Sequence, residues 1–165
     1  MLNPNKTSTL LTYALRLHRG DDLRQRLHTI VQHEEVAAAV ILTCVGSLQS
    51  ADLRLADETL PGPIPGPFEI VSLVGTLGEG GCHLHVALAD AKGEVLGGHV
   101  RPGCIVHTTA EVVLGVLPEL CFSRTFDPVT GFKELNIRGR CAEKPAAGQA
   151  TLANLGIRAH HFAPE

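Results

Sequence analysis

Residues 78–100 read GEGGCHLHVALADAKGEVLGGHV, and the fold turns on them. Ala91-Lys92-Gly93 has the form of a three-residue hairpin loop, in which Gly93 supplies the left-handed conformation that a bulged turn needs. Two strands, His83–Asp90 and Glu94–Val100, then run antiparallel with Asp90 opposite Glu94. Opposed residues in such a hairpin keep a constant sum of sequence numbers, so His85 is expected opposite His99. Side chains alternate along a strand, which places His83 on the same face one pleat away. The opposite face carries Leu84, Val86, Leu88, Leu96 and Val100, a core face. Ala87, Ala89, Val95 and Gly97 share the histidine face and leave space around the rings. A one-residue slip would send His99 to the core side.

Working outward, Tyr13 and its neighbours over 11–18 read as a first strand after a polar, proline-containing arm at 1–10. Gly20-Asp21-Asp22 then opens a helix over about 21–35, with Asp21 as its cap and Asp22 favoured by the helix dipole. Leu23, Leu27, Ile30 and Val31 give that helix one apolar stripe. Val36–Val45 is continuously apolar, as a strand buried on both faces would be, with Gly46 ending it. Ser47–Asp57 alternates as a partner strand, and PGPIPGP at 61–67 is expected to run as an extended loop because proline lacks the ladder donor. Further strands are expected at Phe68–Leu77, Cys104–Leu117, Glu119–Phe126 and, as an edge, Phe132–Ile137, with Asp127–Gly131 as a turn. From Arg138 to residue 165 periodicity is lost, and a flexible tail is expected. One main helix with seven or eight strands implies an α+β, two-layer domain over 11–137, built on a single mostly antiparallel sheet.

The 165 residues suit one domain, and 44% hydrophobic against 19% charged residues is enough to order a core. Fourteen Lys and Arg against seventeen Asp and Glu leave a formal net charge of -3, a poor balance for holding nucleic acid through its phosphates. The five cysteines, Cys44, Cys82, Cys104, Cys121 and Cys141, are odd in number and form no C-x-x-C pair, which points to reduced thiols and a cytoplasmic protein. The longest apolar run, Val36–Leu42, is far short of the roughly 20 residues of a membrane helix, and Leu10-Leu11 is too short for the apolar core of a signal peptide.

Three imidazoles with room for a further ligand are the donor set of an exchangeable or catalytic divalent metal site, zinc foremost. His83, His85 and His99 are therefore the candidate ligands, weighed against a structural or interfacial histidine cluster. His107, Thr109 and Glu111 alternate along the next strand, and Glu111 is a candidate general base whose alternative reading is a solvated or subunit-facing charge. Other motifs carry less. Gly78-Glu79-Gly80-Gly81 precedes a strand and reads as a turn, not a phosphate loop. Cys82 points to the apolar face by alternation, and Arg138-Gly139-Arg140 lacks the proline that follows in a minor-groove hook.

GGCHLHVALAD followed by GEVLGGHV resembles the hallmark of the plants-and-prokaryotes-conserved domain, or PPC domain. Tyr13–Leu17, Gly20–Leu23, Val45–Leu48 and Phe68–Val71 support the resemblance, which covers about residues 11–137. It implies a stand-alone prokaryotic member, an α/β fold with one antiparallel sheet, a homotrimer, and a metal held by His83, His85 and His99. In plant members the segment matching Gly66–Ile70 is associated with partner contact, and Pro67 stands here where an Arg is usual. Members are commonly labelled DNA-binding. The functions implied are a regulatory or small-molecule-binding role with possible DNA association; the alternative is a small metal-dependent enzyme using the three histidines with a carboxylate such as Glu111 or Glu69.

Overall fold

The computed structural model describes residues 6–56 and 62–139. In chain order its elements are β1 (Leu11–His18), α1 (Leu23–His33), β2 (Ala38–Ala51), β3 (Leu53–Arg54), β4 (Ile64–Gly78), β5 (Gly81–Ala89), β6 (Val95–Val100), β7 (Ile105–Val116), β8 (Leu120–Asp127) and β9 (Phe132–Gly139). Seven strands form one sheet in the order β1-β7-β2-β4-β5-β6-β3, every pair antiparallel, while β8 and β9 form a separate two-stranded hairpin. The expected mostly antiparallel sheet with one helix is present, with the last two strands outside it.

Helix α1 lies on one face of the sheet. Its stripe of Leu23, Leu27 and Val31 packs with Leu17, Leu84, Leu88, Val100 and Leu114, all 2% exposed or less. Each such buried side chain contributes roughly 1.5–3 kcal/mol relative to exposure. The helix starts one residue later than expected: the cap is Asp22, not Asp21. Asp22 holds an extended backbone and its Oδ1 accepts from Gln25 N at 2.9 Å, while its Oδ2 accepts from Gly103 N at 2.6 Å. Asp21 is turned back toward β1, accepting from His18 N at 2.8 Å and facing Arg26 at 3.6 Å.

Three strand boundaries also differ from the sequence reading. Gly46 does not end β2; the strand passes through it, because a Cβ there would stand 2.2 Å from the Thr109 carbonyl oxygen of β7. Only Leu53-Arg54 of the expected partner strand 47–57 pairs elsewhere, and it pairs with β6 at the far edge of the sheet. Asp52 makes the corner, its carbonyl accepting from Arg101 N at 3.0 Å and from the Cys104 thiol at 3.3 Å. A single residue thus links the third strand of the order to the seventh, which requires the sheet to curl back on itself at this end. Lastly, β4 begins inside the proline segment, with Ile64 opposite Ala51 and Pro65 opposite Ser50. Pairing with β5 starts only at Glu69, so this stretch is a local edge where proline is tolerated.

The β8–β9 hairpin docks where β2 and β5 begin. Leu120 and Phe122 pack on Ala38, Phe122 N donates to the Ala37 carbonyl at 2.9 Å, and Gly80 N donates to the Phe122 carbonyl at 3.3 Å. This brings the outward face of the hairpin alongside the first histidine of β5. Strand β9 runs to Gly139, past the expected boundary at 137; Arg140 and the expected tail lie outside the described residues, as do residues 1–5 of the expected arm.

Candidate metal centre

The β5–β6 turn is built as its sequence demands. Asp90 N donates to the Glu94 carbonyl at 3.0 Å, the Asp90 carboxylate accepts from Lys92 N and Glu94 N, and Gly93 sits at φ 83°. That turn fixes the register, and His85 pairs with His99. Leu84, Val86, Leu88 and Val100 are buried on the helix side and Leu96 is partly buried, so the histidines all project from the opposite face.

The three rings converge. Their centroids are 5.0 Å apart for His83 and His85, 5.1 Å for His83 and His99, and 5.5 Å for His85 and His99. One ligand atom from each lies within 4.8 Å of the others. His85 is exposed, while His83 and His99 are half-buried. His99 Nδ1 is buried with no hydrogen-bond partner, an arrangement that costs stability unless something takes up that nitrogen. Three imidazole donors within 4.8 Å of one another, one of them orphaned, form a donor set that could hold a metal ion.

Burial favours the neutral form of His99 and His83. Burial pushes the His99 pKa down to about 4, with His83, Arg54, His85 and Arg24 acting in the same direction. His83 is lowered by burial and by Arg124, His85 and Arg54, against a smaller opposing pull from Glu134. A neutral ring keeps the lone pair a metal needs.

Three groups at this site had no signal in the sequence. Arg54 pairs with His99 across β3 and β6. Arg124 and Glu134 come from the β8–β9 hairpin, and Arg124 Nη2 lies 2.7 Å from His83 Nδ1. With Val74, Gly75 and Thr76 of β4, His83 and His85 of β5, and Leu135, these two hairpin residues line a cleft of about 270 Å³. Strand alternation could place Arg124 and Glu134 on their own hairpin, but nothing local ties that hairpin to β5.

The carboxylates singled out in the sequence are elsewhere. Glu111 sits on β7, separated from β5 by β2 and β4, and is exposed opposite Val45. Glu69 pairs with Ala89, four residues along β5 from His85. His107 and Thr109 share β7 with Glu111. Cys82 is buried on the core side as its position in the alternation requires, and burial pushes its thiol up to about 11. Arg138, from the hook-like tripeptide, belongs to β9 and faces Glu79 at 3.7 Å. Among the described residues no helix is long and apolar enough to cross a membrane.

Comparison with known proteins places this geometry. The Plants and Prokaryotes Conserved (PCC) domain matches residues 5–118. Two proteins named bifunctional protein GlmU, from Synechococcus sp. strains JA-2-3B'a(2-13) and JA-3-3Ab, are 46% identical over 135 residues and 44% identical over 146 residues. These alignments take in 82% and 88% of this chain but 21% and 24% of those proteins, so the chain spans under a quarter of their length. Among solved structures, a hypothetical protein of Salmonella enterica is 45% identical with a TM-score of 0.79, over 82% of this chain and 99% of that one. The metal-containing protein AF0104 of Archaeoglobus fulgidus is 28% identical with a TM-score of 0.68, over 80% and 99%. A plant- and prokaryote-conserved protein of Pyrococcus horikoshii is 25% identical with a TM-score of 0.69, over 81% and 97%.

Proposed function

The chain belongs to the Plants and Prokaryotes Conserved domain family, and from that premise we propose that it is a cytoplasmic, homotrimeric protein that binds a divalent metal, zinc by preference, through His83, His85 and His99, and uses the loaded site to recognise a small ligand. The observation that carries the reading is the convergence of three donor atoms within 4.8 Å, with His99 Nδ1 buried and unpartnered. The metal content named for the Archaeoglobus relative supports it. Assembly is supported by exposed apolar residues on the histidine side of the sheet, among them Leu42, Val45, Val74 and Val95. Metal analysis of the purified chain beside a His83→Ala/His85→Ala double variant tests the site; equal metal content in the two would overturn it. Light scattering tests the trimer.

A second reading, a small metal-dependent hydrolytic enzyme, is favoured by one specific observation: Glu134 lines the cleft with His83 and His85. A carboxylate there could move a proton next to the ion. Turnover of a chromogenic ester or amide that disappears in Glu134→Gln would support it. DNA association is the weakest reading, since the net charge of -3 opposes phosphate contact; failure to bind duplex DNA at low salt would remove it.

A further inference from the structure

We propose that a metal ion and the Arg124 guanidinium compete for His83, and that the displaced guanidinium then holds a small carboxylate beside the ion. This rests on the three-histidine reading and adds to it a built-in rival and a ligand class.

The competition follows from the chemistry of one ring. A guanidinium can only donate, so Arg124 Nη2, 2.7 Å from His83 Nδ1, uses the lone pair on that nitrogen. The proton of the neutral ring then sits on Nε2. An ion approaching Nδ1 needs the lone pair Arg124 already occupies. An ion approaching Nε2 forces the proton to Nδ1, where two N–H groups would face each other at hydrogen-bond distance. On either nitrogen, the Arg124 contact must break when the ion binds. Arg124 also donates from Nη1 to the Lys133 carbonyl at 3.1 Å, and that bond within the hairpin keeps the released guanidinium at the cleft.

The ligand class follows from charge and shape. Three neutral imidazoles leave the ion's positive charge uncompensated, Arg124 and Arg54 add to it, and Glu134 is the acidic group acting on His83. A loaded site of this kind attracts an anion. A planar guanidinium matches the two oxygens of a carboxylate. The cleft of about 270 Å³ has apolar walls in Val74 and Leu135, which suit a short aliphatic tail, and Glu134 disfavours a dianion such as phosphate.

The test uses the full chain loaded with cobalt(II), read by visible absorption, with metal affinity measured by chelator competition. Isobutyrate is titrated beside its neutral isostere isobutyramide and beside inorganic phosphate. Isobutyrate is expected to shift the cobalt spectrum and isobutyramide is not. Arg124→Gln is expected to raise cobalt affinity roughly tenfold by removing the rival, and to weaken isobutyrate by a similar factor. Arg54→Gln, which removes a positive charge without a bond to His83, should raise cobalt affinity less. Unchanged or reduced cobalt affinity in Arg124→Gln overturns the competition, the outcome expected if Arg124 merely orients the ring. A phosphate response without an isobutyrate response, or equal responses to acid and amide, overturns the ligand class. Failure of the unaltered chain to bind cobalt would overturn the three-histidine reading itself and this proposal with it.

Discussion

His85 and His99 face each other directly across β5 and β6, with ring centroids 5.5 Å apart and His83 nearly equidistant from both. No ring is peripheral, so each should matter equally to a bound ion. His85→Ala and His99→Ala are each expected to weaken zinc binding by roughly 100-fold or more, beyond the cost of losing a supporting group alone. His107→Ala, on β7, should leave it unchanged. Chelator competition measures this, and comparable losses in all three variants would mean that the zinc is held loosely at surface imidazoles.

The same rings make stability depend on pH. In the folded chain His99 is held neutral down to about 4, and His83 is lowered as well, while in the unfolded chain both return toward 6.5. Between those values the unfolded state binds more protons, so stability rises with pH and is lost as pH falls from about 6.5 toward about 4. Without added metal, the urea midpoint should decline from pH 7 to pH 5, and His99→Gln should flatten that decline. A midpoint of the unaltered protein that stays level over the interval would show that burial does not hold the ring neutral.

Asp22 ties two parts of the fold together, capping α1 through Gln25 N and holding the β6–β7 turn through Gly103 N. Loss of a lone helix cap costs about 1 kcal/mol. Asp22→Ala should cost more, roughly 2–3 kcal/mol, because a partly buried backbone donor loses its charged acceptor as well. Asp21→Ala, whose carboxylate serves only His18 N and Arg26, should cost less. Chemical denaturation of the two variants gives the comparison; equal losses would mean the Gly103 contact adds nothing.

Local rules made the histidine hairpin legible, because a three-residue turn with glycine in its last place sets the register by itself. The helix and most strands were legible for the same reason, through periodicity over a few residues. What escaped was set by distant backbone. Gly46 looks like a strand end, yet its missing side chain admits the carbonyl of Thr109. Leu53-Arg54 looks like a continuation of its neighbour, yet the curl of the sheet hands it to β6. Arg124 and Glu134 reach the site only because Phe122 docks the hairpin on Ala37 and Gly80, a contact across more than forty residues of chain. The family match ends at residue 118, before that hairpin begins.

Leu84 allows the metal reading to be tested through folding. It stands between His83 and His85 but points the other way, fully buried against the helix layer. Leu84→Ala should destabilise the chain by roughly 2–5 kcal/mol, through lost burial and the cavity left behind. None of the three candidate ligands is altered. An ion that binds only the folded state adds about 4 kcal/mol when present at a thousandfold its dissociation constant. Zinc should therefore restore much of the melting temperature lost in Leu84→Ala, and far less of it in Leu84→Ala/His99→Ala. Equal rescue of both variants would place the ion elsewhere on the chain, and rescue of neither would mean the histidine cluster serves packing or assembly instead.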